Sequence, residues 1–306
     1  MRIYARDIFE VVNDQIVLDF DNKMNVLVSK TLGALAAPFS ALIVLWVIVT
    51  GILVMRGDID VRRGITRIIR VALVSAFILE AGVYNTYVVQ FFRNGLPTWI
   101  ASTITSGQAL STPELLDDIM ASLSGSSAAI KAILSVMQVS DHQKLAIVDT
   151  CNGLMLGEVF TIYLCAQVVM DVVLTIGPFV IAGFLFEATR GFAERWIGQM
   201  VGLILLSAMV DISVMVFAQG ITHYLSQVGV EELVEQGLGA VATGALFNAT
   251  IFVMICASIV NLLPAIAAII GGGIEVRSAG SAMSSVVGGS SSGSRMANNI
   301  ARRMFK

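Results

Sequence analysis

Four carboxylates, Glu80, Glu158, Asp171 and Asp211, sit inside long runs of otherwise apolar residues. A carboxylate at membrane depth is costly, so it faces a bundle interior or water, or takes up a proton. Two kinds of role follow. The acids line a hydrated lumen or proton path, or they make helix–helix hydrogen bonds. No Lys or Arg shares those runs, so no ion pair is expected within them. Glu158 and Asp171 are 13 positions apart and fall on different faces of a helix. Nothing else has the form of a catalytic centre. His142 and His223 are too distant in sequence to suggest a metal site, and no Cys/His ligand spacing, phosphate loop or nucleophile motif occurs. Cys151, Cys165 and Cys256 lie in apolar surroundings and read as small packing residues. Neither an enzyme activity nor a metal or cofactor is expected.

The elements that must hold these acids are transmembrane helices. The hydrophobic fraction is 56% and the charged fraction 13%, about half the charge of a soluble domain. Mean hydropathy is +0.83. Residues 31–55 hold no ionisable side chain, and a span needs about 20 apolar residues. Backbone groups in a bilayer must be paired internally, and continuous apolar runs suit helices rather than an alternating barrel. The expected fold is an all-α, polytopic helical membrane protein with about five transmembrane helices and a small periplasmic helical region.

Residues 1–30 mix acidic and basic side chains with apolar residues spaced by three or four, from Phe9 to Leu27. This predicts an amphipathic periplasmic or interfacial helix that lies on the membrane surface, on a partner or against its own bundle, retained rather than cleaved. Residues 31–92 carry the first two spans, with Pro38 expected to kink the first. A basic loop at 56–70 joins them through Arg56, Arg62, Arg63, Arg67 and Arg70. The second span, 71–92, has Glu80 at its middle. Residues 93–148 form a central extramembrane region with two short helices expected at 113–123 and 128–139. Residues 149–270 hold spans three to five, and 271–306 a Gly/Ser-rich tail with a basic, membrane-anchoring end.

Span three is the difficult one. Residues 151–186 reach about 54 Å as a helix, against a hydrocarbon core of about 30 Å. Taken as one crossing, with 56–70 in the cytoplasm, the cytoplasmic segments hold 12 Lys/Arg and the outer ones 7. The positive-inside rule therefore favours a periplasmic N-terminus and a cytoplasmic C-terminus. Gly177-Pro178 is expected to break the helix, leaving the Leu174 carbonyl in need of another donor. Gly153/Gly157 and Gly198/Gly202 have the spacing that lets helices approach closely. Trp46, Trp99 and Trp196 suit interfacial belts.

The segment IGPFVIAGFLFEATRGFAERWIGQMVG, residues 176–202, resembles the signature region of the polytopic inner-membrane subunit of bacterial type IV secretion systems, the TrbL-like superfamily. The resemblance rests on Gly177-Pro178, the aromatic run at 179–186, Thr189-Arg190, Phe192, and Trp196 opening the next span. It extends more loosely to the amphipathic start, the two spans joined by a basic loop, Leu96-Pro97 and the basic C-terminus. The central region is shorter than in long members. The resemblance implies an oligomeric channel or platform in the inner membrane that helps to move DNA or protein substrates and to build a pilus. It implies homo-oligomers, an ATPase, a minor pilin or stalk, single-span periplasmic-domain proteins and membrane lipid as partners, with DNA or protein as transient cargo. Arg190 and Trp196 would set helix depth at the cytoplasmic face. The alternative is a small secondary transporter or ion channel that uses the same acids, although the paired broken helices of such folds are not visible.

Overall fold

The computed structural model describes residues 8–57, 61–104, 111–134, 139–186 and 189–271. Ten α-helices account for most of them, and the described residues contain no strand. The basic end of the tail, and residues 1–7, lie outside the described residues.

Three helices set the scale. Helix α1 (Ile8–Met55, 48 residues), α6 (Val139–Ala182, 44 residues) and α7 (Arg190–Val228, 39 residues) are all longer than a membrane needs. At 1.5 Å per residue they extend about 72, 66 and 58 Å. The amphipathic start and the first span are thus one helix, which runs through Pro38. Among the described residues, four helical segments are long and apolar enough to span a membrane: Ile8–Met55, Val139–Leu185, Arg190–Glu235 and Gly239–Gly271. A bent pair, Gly64–Leu79 with Gly82–Arg93, makes up to five.

Within that pair the chain bends at Glu80, in the middle of the second span expected over 71–92. Helix α2 (Val61–Leu79) ends at Glu80, and the chain turns by 96° into α3 (Ala81–Tyr84) and two π-type turns, Asn85–Val89 and Phe91–Gly95. Pro97 then occupies the first turn of α4 (Leu96–Ile104). The bend leaves Glu80 exposed rather than at the centre of a packed span. Its carbonyl accepts hydrogen bonds from the Val83 and Tyr84 amides at 3.0 and 3.2 Å.

The two short central helices are in fact one, α5 (Thr112–Ile133). Ser111 and Glu114 form its capping box, and Pro113 sits in its first turn. The helix packs against the long helices. Leu116, Ile119, Leu123 and Ile130 pack into one buried cluster with residues of α6, α7 and α9 (Gly239–Val260). This first core uses Leu145–Ala166 of α6 and Leu206–Ile221 of α7. A second core gathers Val28, Leu32 and Phe39 of α1 and Val74 and Ile78 of α2 with the other ends of α6 and α7. The long helices are therefore shared struts through two stacked cores. The short α8 (Val230–Glu235) and α10 (Leu263–Gly271) complete the bundle.

Candidate functional site

Pro178 lies inside α6, which continues to Ala182 instead of breaking. Its ring still removes the donor that would have served the Leu174 carbonyl. The replacement comes from another helix. Tyr84, fully buried, donates its hydroxyl to Leu174 O at 2.5 Å. It reaches that carbonyl because the chain turns at Glu80 and aims α3 at α6. One residue earlier, the Trp196 indole N–H of α7 donates to Val173 O at 3.0 Å. Both rings converge on Gly177. A Cβ there would overlap the Tyr84 hydroxyl and stand 2.8 Å from Trp196 Cζ2. Glycine is the residue that lets both donors reach the opened helix backbone.

The same knot contains a buried ion pair. Arg93 Nη2 of the second π-type turn lies 3.1 Å from Asp171 Oδ2, with both side chains largely shielded. Asp171 is thus not partnerless. The arginine comes from the end of the bent span, beyond the apolar run, where in-span pairing could not reveal it. Phe92, next to Arg93, meets Trp196 edge-on at a ring separation of 6.5 Å. Thr175 donates to Asp171 O at 2.9 Å and also contacts Met24 Sδ of α1 at 3.1 Å. Trp196 is 6% exposed and fills the interior of the bundle. Trp99 is exposed and Trp46 half-buried.

The link from α6 to α7 is closed by Thr189, whose hydroxyl donates to Gly183 O at 2.7 Å. Arg190 pairs with Glu194 at 2.7 Å on the exposed first turn of α7. Further along, Gly198 and Gly202 face Gly271 of α10. A Cβ at Gly198 would come within 2.8 Å of Gly271 O, and one at Gly202 within 2.9 Å of Gly271 Cα. Gly153 has only an ordinary contact with Met120, and Gly157 has open space.

The remaining acids are dispersed. Asp211 accepts a hydrogen bond from Thr112 Oγ1 at the start of α5. Glu158 is half-buried on α6. No hydrogen bond or ion pair joins any two of the four acids among the described residues. A fifth acid, Asp117 of α5, is 6% exposed and accepts hydrogen bonds from the Phe9 and Glu10 amides at 3.0 and 2.9 Å. A carboxylate placed there complements the positive end of α1. Sequence reasoning missed Asp117 and Tyr84. The one signal for Tyr84 was indirect, a proline whose orphaned carbonyl needed a donor.

Among the described residues no group of three or more His, Cys, Asp or Glu could hold a metal ion. The contacts described above hold helices together.

Residues 43–260 match the family described as TrbL/VirB6 plasmid conjugal transfer protein. The chain belongs to the TrbL/VirB6 family. Protein VirB6 of Agrobacterium fabrum is 33% identical over 272 residues, covering 86% of this chain and 90% of the relative. Protein VirB6 of Agrobacterium tumefaciens is 32% identical over 78% of the chain and 81% of its own length. Type IV secretion system protein VirB6 of Bartonella quintana is 24% identical over 71% and 68%. This TrbL/VirB6 chain is thus a multi-pass membrane component of type IV secretion. The family match covers the Tyr84–Leu174 contact, the Arg93–Asp171 pair and the Gly177–Trp196 packing, but not residues 1–42.

Proposed function

We propose that this chain is an inner-membrane platform or channel subunit of a type IV secretion system. In this reading it contributes to passage of DNA or protein substrates and to pilus assembly, as a homo-oligomer beside an ATPase, stalk or minor pilin and single-span periplasmic-domain proteins. The observation that carries it is the family match through both buried cores, residues 43–260. The lengths of α6 and α7 support it, because helices of about 66 and 58 Å extend beyond a core of about 30 Å and offer rigid surface to soluble partners. The charge distribution supports a periplasmic N-terminus and a cytoplasmic C-terminus. Glu80, Glu158 and Asp211, which have no ion pair among the described residues, are the lumen candidates. Gly153 and Gly157, which have little packed against them within the chain, are candidates for contact between subunits.

Deletion of the gene, complemented in trans, tests the reading. Substrate transfer and pilus formation are expected to be lost and restored together, and mild-detergent purification is expected to bring down the ATPase and the single-span proteins. A protein that isolates alone and carries a small solute across liposomes would instead establish the transporter alternative.

A further inference from the structure

A cavity of about 300 Å³ opens between α1, α2 and the end of the α6 segment, lined by Leu45, Trp46, Val49, Thr50, Arg70 and Leu185 among others. Its walls are apolar apart from Thr50 and Arg70. Arg70 is half-buried, and no hydrogen bond or ion pair engages it among the described residues. Leu45 and Val49 are exposed on the flank of α1, so the cavity opens toward the apolar surroundings of the bundle. A guanidinium among apolar walls needs an anionic acceptor, and here that acceptor must bring an apolar body with it. A free carboxylate or phosphate would leave the Leu45 and Val49 side unfilled.

We propose that this cavity binds one anionic glycerophospholipid, with its phosphodiester on Arg70 and the start of an acyl chain along Leu45 and Val49. The guanidinium fork suits two phosphate oxygens at once. Basic pockets between transmembrane helices are a recognised setting for anionic headgroups. Thr50, 8% exposed, supplies a hydroxyl within the same cavity, and Trp46 an amphipathic ring of the kind found at headgroup level. The lipid would bridge α1 and α2, the helix pair whose continuation carries the bend at Glu80.

The test uses the full chain in nanodiscs of phosphatidylcholine, with and without a minority of phosphatidylglycerol. Native mass spectrometry reads the lipid retained per chain, and thermal unfolding reads stability. The wild type is expected to keep phosphatidylglycerol about tenfold better than phosphatidylcholine, the effect of one charge-assisted contact. Arg70→Gln should abolish that preference. Val49→Trp, which fills the cavity but keeps the charge, should lose the bound lipid. Inorganic phosphate added to phosphatidylcholine discs should give no stabilisation. Equal retention of the two lipids by the wild type, an undiminished preference in Arg70→Gln, or stabilisation by phosphate alone would each overturn the proposal. So would a loss of oligomer mass in Val49→Trp with no lipid bound to the wild type, which would assign the face to a second copy of the chain.

Discussion

Tyr84 and Pro178 are one device in two residues. Proline opens the α6 ladder at Leu174, and a phenol from the bent second span closes it at 2.5 Å. Removing the hydroxyl alone leaves a buried carbonyl unpaired, a loss of about 1–3 kcal/mol. Tyr84→Phe should therefore lower the thermal midpoint in detergent. In a Pro178→Ala background the restored amide can serve Leu174 from within the helix, so the same Tyr84→Phe change should cost distinctly less. A double-mutant cycle measures this coupling, and additive effects would show that the two residues act independently. Gly177→Ala should be destabilising by about 1–3 kcal/mol, because the new methyl meets Tyr84 and Trp196. The ion pair beside them obeys a different rule. Arg93→Leu leaves Asp171 buried without its partner and should cost about 3 kcal/mol or more, whereas Arg93→Leu with Asp171→Leu should recover much of the loss. Unfolding curves of the three variants decide whether the pair stabilises the bundle or only neutralises itself.

At the scale of elements, α5 joins parts that are distant in sequence. Asp117 caps α1, Thr112 reaches Asp211 of α7, and Lys131 meets Asp149 of α6 at 2.5 Å. Phe9, beside the capped amides, meets Phe160 of α6 at a ring separation of 5.0 Å. Asp117→Ala should free the start of α1, seen as faster amide hydrogen exchange over residues 8–20 with little change over α9. Unchanged exchange there would mean that Phe9 packing alone holds the helix end. The contrast between what was and was not legible in sequence lies here. The capping box at Ser111 and Glu114 is local, and Ser-Thr-Pro-Glu announces it. The length of α6 was visible as an apolar run too long for one membrane. Asp117 looked like any acid on an amphipathic helix, because its partners are the Phe9 and Glu10 amides about a hundred residues away. The bend at Glu80 was hidden for a related reason. An acid in an apolar run fits a straight span facing water as well as a broken one, and the choice was made by Tyr84 and Arg93 finding acceptors on α6. Proline at 178 gave the opposite error: it signals a lost hydrogen bond, but helix interruption depends on whether neighbours replace what is lost.

For the whole molecule, the long helices run through two stacked cores and exceed the thickness of a hydrocarbon core, and the positive-inside rule gives an expectation for which end faces which side. The core around Val28, Ile78 and Trp196 adjoins the Arg190 turn, while the core around Ile130 and Ile162 adjoins the acidic α8 turn. If basic segments stay in the cytoplasm, Arg190 lies inside and Glu232 outside. Both are exposed, so each can carry a single cysteine once Cys151, Cys165 and Cys256 are replaced by serine. A thiol reagent that enters the periplasm but not the cytoplasm should label Glu232→Cys in intact cells and Arg190→Cys only after lysis. The reverse pattern would invert the bundle and put the α5 core in the cytoplasm. Because α6 is continuous from Val139 to Ala182, one exchange of labelling fixes the side of both its ends.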